Sequence, residues 1–322
     1  MAGLLILSFA FLVVIGTSLL MLPAATPAGT PISLEDASFT AVSAVCVTGL
    51  VVRDTGADFT MFGQVVILVL IQLGGLGIML FGTAVAMALG RRRLDTRMTS
   101  TMAQMLSEPE PGRVQRMMRF VIIATLTFEA IGVVLLLPMF RSAANGLGLS
   151  QAQAWWYSIF HSISAFCNAG FSLMGSNLAG TASAAWQVAI RDYWQVMGVI
   201  APLIILGGLG FPVLYDLFRW CARQVRRAVL RWRGNIAATA KLPARPILTL
   251  HSRLVLVTTI ILLLLGAIGL TVTELGTNSD TMSMWKSVSK LEAMREAAFL
   301  SVSARTAGFN TSDLSELSPS GK

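Results

Sequence analysis

The residues best placed to do chemistry are three glycine loops: Val47-Thr48-Gly49, Asn168-Ala169-Gly170 and Thr306-Ala307-Gly308. Each ends a short apolar run that holds Ser-Ala, and each is followed by Leu or Phe. The runs read FTAVSAVCVTGL over Phe39–Leu50, FHSISAFCNAGF over Phe160–Phe171 and, one residue shorter, FLSVSARTAGF over Phe299–Phe309. No acid sits beside the glycines, so the groups on offer are backbone carbonyls, which glycine leaves unobstructed. Several such loops around one axis form a ring of oxygens that can replace a cation's water shell. Without carboxylates, the chemistry favours a weakly hydrated monovalent ion over Ca²⁺, which usually takes them. The acids and histidines are scattered and offer no nucleophile–base pair, so an enzyme is not expected.

Elements must carry these loops into position. The glycines stand 121 and 138 residues apart, too wide for a solenoid. The spacing suits a unit of helix, short re-entrant half-helix and helix, used several times within a membrane. Irregular backbone is tolerated at membrane depth only where it lines a cavity or is buried in protein. A half-helix entering from outside also points its partially negative C-terminus inward, which favours a cation.

Composition agrees with a bilayer as solvent. The 322 residues are 55% hydrophobic and only 12% charged, against roughly 25% charge in soluble domains. Sixteen of the 24 Lys and Arg lie in Arg91–Arg119 and Arg219–Arg253. Between spans, such clusters mark the cytoplasmic side, and they exclude a nucleic-acid surface as the source of the +8 charge. Most acids, among them Asp36, Asp54, Glu292 and Glu296, fall on the opposite side. Cys46, Cys167 and Cys221 make neither a disulfide framework nor a metal pattern. Cys46 and Cys167 each lie three residues before a glycine and read as small packed positions.

Taken in order, the chain divides into five parts. Residues 1–90 form the first repeat. Its first element, Leu4–Leu22, is read as a retained span or, from the AATPAG that follows, as a signal peptide. A half-helix capped near Ser33 runs to about Cys46, and a long apolar run, Met61–Leu89, holds LGGLGIM. Residues 91–119 are a cytoplasmic connection. Residues 120–218 form the second repeat. The span Phe120–Pro138 carries Glu129, an intramembrane acid read either as near an ion path or as bonded to a neighbouring helix or loop. The half-helix Ala154–Phe166 opens on Trp155, Trp156 and Tyr157, a candidate interfacial belt, and holds His161, expected to have a polar partner. The return span Tyr193–Phe218 repeats LGGLGF, and Pro202 and Pro212 predict altered helix geometry. The repeated glycines allow close helix approach or bending. Residues 219–253 are a second cytoplasmic connection in which Pro243 and Pro246 end any helix. Residues 254–322 begin a third repeat, with span Leu254–Val272 and half-helix Lys286–Ser303, and hold no return span.

The order SAVCVTGL, LIQLGGLGIM, FHSISAFCNAGF and SARTAGFNT resembles the Trk/Ktr/HKT superfamily of potassium transporters, nearest its bacterial KtrB/TrkH branch. The motifs reach from Phe39 to Thr311. The resemblance implies an all-α polytopic membrane protein with four span–pore-loop–span repeats around a pseudo-fourfold pore. It implies one filter glycine per repeat, here Gly49, Gly170 and Gly308, with K⁺ coordinated at Val47, Thr48, Gly49, Asn168, Ala169, Gly170, Thr306, Ala307 and Gly308. It also implies K⁺ uptake across the cytoplasmic membrane, Na⁺ dependence in some members, a homodimer, and a cytosolic ring of nucleotide-binding regulatory subunits. Arg305 falls where the family places a basic residue, read as a tether of the third loop. Three pore loops are present and the fourth repeat is absent from the sequence. Two expectations follow: a piece of a K⁺ transporter, or a truncated, non-conducting scaffold or regulatory remnant of that family.

Overall fold

Serine sets the start of all three half-helices. In the computed structural model, which describes residues 2–77, 111–147, 150–175, 177–179, 190–233, 248–276 and 289–312, helix α2 (Leu34–Val45) begins at Ser33, whose Oγ accepts from Asp36 N at 3.0 Å. Helix α5 (Gln151–Phe166) begins at Ser150, which exchanges hydrogen bonds with Gln153 at 3.2 and 2.7 Å. Helix α9 (Lys290–Ser303) does the same with Ser289 and Glu292, at 3.3 and 2.8 Å. These caps satisfy N–H groups that a first turn leaves open. Each half-helix is 12 to 16 residues long, about half of a membrane's full thickness at 1.5 Å per residue.

Longer apolar helices lie beside them. Helix α1 (Ala2–Leu20) packs on α2, α4 (Pro111–Leu147) on α5, and α8 (Leu250–Gly276) on α9. Within α4 and α8, Arg116–Ser142 and Leu250–Glu274 are long and apolar enough to cross a membrane. Among the described residues there is no strand. A glycine receives the half-helix in each pair. A Cβ on Gly16 would stand 3.3 Å from that of Ala41, one on Gly132 would stand 2.2 Å from Ser162 Oγ, and one on Gly266 would stand 2.4 Å from Ser301 Oγ. Both serines then donate across the contact, Ser162 to the Glu129 carbonyl at 2.7 Å and Ser301 to the Leu263 carbonyl at 2.8 Å. Ala41, Ser162 and Ser301 each lie two residues before the serine of Ser-Ala. The three contacts are therefore the same contact made three times.

The return helices follow the first two loops. Helix α3 (Met61–Leu76) is capped by Thr60 and ends at Gly77, at φ 75°. After the second loop the chain passes through a 3₁₀ turn (Ile190–Asp192) and a π-helical turn (Val196–Ile200) into α6 (Ala201–Gly208). It then breaks at Gly210, at φ 82°, and enters α7 (Phe211–Trp232) bent by 109°. Both breaks fall on the last glycine of LGGLG. The expected single span Tyr193–Phe218 is thus two helices, with Pro212 in the first turn of the second, where its missing N–H costs no helical bond.

Three expectations are corrected. Helix α4 continues through Pro138 to Leu147, because stopping at the proline would leave more backbone groups open in an apolar setting than the proline does. Trp156 and Tyr157 turn inward. Trp156 Nε1 donates to Gln64 Oε1 at 2.7 Å, and Tyr157 meets Phe140, so only Trp155 of the three is exposed. Cys46 is exposed, whereas Cys167 is the packed one, against Gly75. The expectations for 78–110, including the end of the first LGGLGIM, and for Pro243, Pro246 and the segment after Ser312 lie outside the described residues.

Candidate functional site

The three loops share one backbone conformation. Val47, Asn168 and Thr306, each two residues before its glycine, have φ of 54°, 58° and 68°. Gly49, Gly170 and Gly308 follow at 79°, 69° and 71°. A left-handed residue, one ordinary residue and a left-handed glycine thus occur three times. For β-branched Val47 and Thr306 this region is a genuine outlier, and such strain collects at functional positions. Asn tolerates it better. The Asn168 amide donates to the Ile204 and Ala165 carbonyls at 3.0 and 3.1 Å and accepts from Gly208 N at 3.2 Å.

The half-helices hold the loops by matching bonds. Thr48 N and Ala169 N each donate to the serine carbonyl five residues back, at 2.8 Å, and Ala307 N donates to the Ser303 carbonyl at 2.9 Å. Ser164 Oγ donates to the Phe171 carbonyl at 2.7 Å, and Ser303 Oγ donates to the Phe309 carbonyl. Ser43 stands in the same place in the first loop, but its buried Oγ has no partner among the described residues. His161 is satisfied on both ring nitrogens: Nδ1 lies 2.8 Å from the Tyr157 carbonyl, to which it donates, leaving Nε2 to accept from Ser172 Oγ at 3.0 Å. Ser172 lies two residues past Gly170, so the histidine ties the outgoing segment to its own half-helix.

The loops meet at their glycines. A Cβ on Gly49 would stand 2.6 Å from the Ala169 carbonyl oxygen, and one on Gly170 would stand 2.7 Å from that of Ala307. One on Gly308 would lie 3.0 and 3.7 Å from the α-carbons of Gly170 and Gly49. All nine residues expected at the site lie on these converging loops. Asn177 donates to the Gly308 and Gly170 carbonyls at 3.2 and 3.4 Å, a contact that no sequence motif signalled. Beside Gly170 a cavity of 240 Å³ opens between Val51–Thr55 and the residues Ser172, Met174, Gly175 and Asn177.

The return helices buttress the loops from behind. A Cβ on Gly74 would stand 2.1 Å from the Val45 carbonyl oxygen, and one on Gly207 would stand 1.8 Å from that of Phe166. These are the second residues of the two LGGLG motifs, each pressed on the last residue of its half-helix. Glu129 is buried near Gln72 of α3, and its Oε1 has no hydrogen-bond partner among the described residues. The half-buried Arg305 has no ion-pair partner among the described residues, and the tether expected of it is not seen.

A family model described as "Cation transport protein", TrkH, matches residues 3–322. This chain belongs to the TrkH family of cation transport proteins. Among curated relatives, the Ktr system potassium uptake protein B of Bacillus subtilis is 33% identical over 315 residues, 97% of this chain and 60% of that protein. The potassium/sodium uptake protein NtpJ of Enterococcus hirae is 31% identical over 313 residues, again 97% and 60%. The crystal structure of the potassium transporter TrkH from Vibrio parahaemolyticus aligns with a TM-score of 0.53 at 18% identity, covering 97% of this chain and 53% of that one, a likeness of fold. The chain spans about 60% of the length of the curated relatives it matches. As a member of the TrkH family it is an all-helical membrane protein.

Proposed function

We propose that this TrkH-family chain is the pore-forming part of a Trk/Ktr-type potassium uptake system in the cytoplasmic membrane. The backbone carbonyls of Val47, Thr48, Gly49, Asn168, Ala169, Gly170, Thr306, Ala307 and Gly308 coordinate K⁺. The observation that carries this reading is the threefold recurrence of one strained backbone, left-handed residue then left-handed glycine, at loops whose glycines meet. The half-helix C-termini behind the loops add negative potential there, which favours a cation.

In this reading residues 1–90, 120–218 and 254–322 are successive repeats, joined on the cytoplasmic side by 91–119 and 219–253. A fourth loop closes the ring. The names of the relatives support K⁺ as the cargo, and that of NtpJ brings Na⁺ into consideration. A homodimer and a cytosolic nucleotide-binding ring, the latter in keeping with relatives named as Ktr systems, complete the proposal.

The test is K⁺ and Na⁺ flux in proteoliposomes made from the whole reading frame that encodes this chain. Gly170→Ser crowds the meeting point and is expected to lower K⁺ preference over Na⁺. An unchanged preference overturns the filter assignment.

A further inference from the structure

Helix α7 leaves the second return helix at 109°, so where α6 runs along the membrane normal, α7 lies nearly in the membrane plane. Its 22 residues reach about 33 Å. Its side chains are sorted by charge. At 100° per residue, Leu214, Leu217, Phe218, Val225, Val229 and Trp232 fall on one side. Arg219, Arg223, Arg226, Arg227 and Arg231 fall on the other, with Arg233 just past the end.

Only the base of this helix is packed. Val213 and Leu214 are buried with Leu209 against Phe120, Val255 and Leu256, and Asp216 accepts from Thr249 N at 2.8 Å. The Phe218 ring still meets Phe120, with centroids 5.4 Å apart; beyond it the apolar face stands open, with Val225 62% and Trp232 87% exposed. From Arg219 onward the helix falls in the arginine-rich segment read as cytoplasmic. A helix with an apolar face, an arginine face and an axis in the membrane plane fits the boundary of a bilayer whose headgroups are anionic.

We infer that α7 from Phe218 to Trp232 is an interfacial anchor that seats Val225, Val229 and Trp232 among acyl chains and binds anionic lipid headgroups through its arginines. This rests on the membrane reading of the chain, and goes beyond it by assigning a lipid-binding surface. The bound surface would hold the far side of the Gly210 break, so lipid charge would act on the helix that leaves the second loop.

The test uses the full chain in vesicles of phosphatidylcholine, with and without one quarter phosphatidylglycerol. In a cysteine-free background, fluorescent probes are placed by Val225→Cys, Arg227→Cys and, on the lipid-facing side of α8, Leu262→Cys. With phosphatidylglycerol, the Val225 probe is expected to be quenched by lipid-borne nitroxide and protected from aqueous iodide, with the reverse at Arg227. Changing Arg223, Arg226 and Arg227 to Gln is expected to weaken the seating roughly fivefold per charge removed. A Val225 probe open to iodide in both lipids overturns the inference. So does one shielded from both quenchers, which would mean that protein covers the face. If the Leu262 probe also escapes the lipid quencher, the membrane reading itself has failed.

Discussion

Glu296 Oε2 accepts from Ser312 Oγ at 2.6 Å, tying the third half-helix to the chain four residues past its glycine. Thr311 Oγ1 adds a second bond at 2.7 Å, and Arg191 approaches the other oxygen at 3.9 Å. The first repeat has the same tie in different chemistry. Asp36 lies seven residues before Ser43, as Glu296 does before Ser303, and it pairs at 2.9 Å with Arg53, four residues past Gly49. The first and third loops are thus tied across the mouth as well as to their own half-helices. Burial separates the two ties. The Glu296 side chain is 7% exposed, while Asp36 and Arg53 are 28% and 40%. Glu296→Ala leaves two hydroxyls and an arginine without their acceptor and is expected to cost about 3 kcal/mol. Asp36→Ala is expected to cost less than about 1 kcal/mol. Thermal unfolding in detergent would compare them, and equal shifts would refute the ranking.

The serine of Ser-Ala offers a test internal to one chain. Ser164 and Ser303 each hold a carbonyl one residue past the glycine, while Ser43 holds nothing described. Ser164→Ala and Ser303→Ala are each expected to destabilise by about 1–2 kcal/mol, and Ser43→Ala to be neutral or stabilising. A loss at Ser43 as large as at Ser164 would show that its hydroxyl is bonded after all.

Close approach at LGGLG gives a third contrast. Gly74→Ala and Gly207→Ala drive a methyl group into a carbonyl oxygen that belongs to rigid main chain. Each is expected to cost about 3 kcal/mol or more. Gly269→Ala on α8 has nothing within 4 Å and should gain up to about 1 kcal/mol from helix propensity. Folded yield on size-exclusion chromatography would rank the three, and a well-folded Gly207→Ala protein would contradict the packing.

Val47 holds a left-handed conformation that a β-branched residue resists. Val47→Gly removes strain of about 1–2 kcal/mol but adds unfolded-chain freedom of about 1 kcal/mol. The net change in melting temperature should be small. The K⁺ preference in flux assays should fall, because the loop no longer has a single backbone shape. Preserved selectivity would mean that the strain serves no purpose in coordination.

Much of this arrangement was legible because it is local. Ser33 and Glu35-Asp36 announce a helix start, and Ser-Ala followed by glycine announces its end. What escaped the sequence was decided by residues far along the chain. Trp156 looked like a belt residue until Gln64, 92 positions away, supplied its acceptor. Pro138 looked like an end because nothing local shows that α4 would leave more groups open by stopping there. The ties of Asp36 to Arg53 and Glu296 to Ser312 join residues whose separation, 17 and 16 positions, matches no helical or strand period. Cys46 and Cys167 shared a place in the repeat yet differ in burial, since Gly75 packs on Cys167.

The contacts of Gly74 on the Val45 carbonyl and Gly207 on the Phe166 carbonyl carry a consequence for how such a molecule can change over generations. When two side chains touch, enlargement of one can be absorbed by shrinkage of the other. Here the second party is main chain, identical whatever residue occupies the position, so no reciprocal substitution exists. The two copies of the unit are free to drift apart in nearly every side chain, but at these points neither has anywhere to drift to. Resemblance between copies survives where backbone meets backbone, independent of what either copy has come to do.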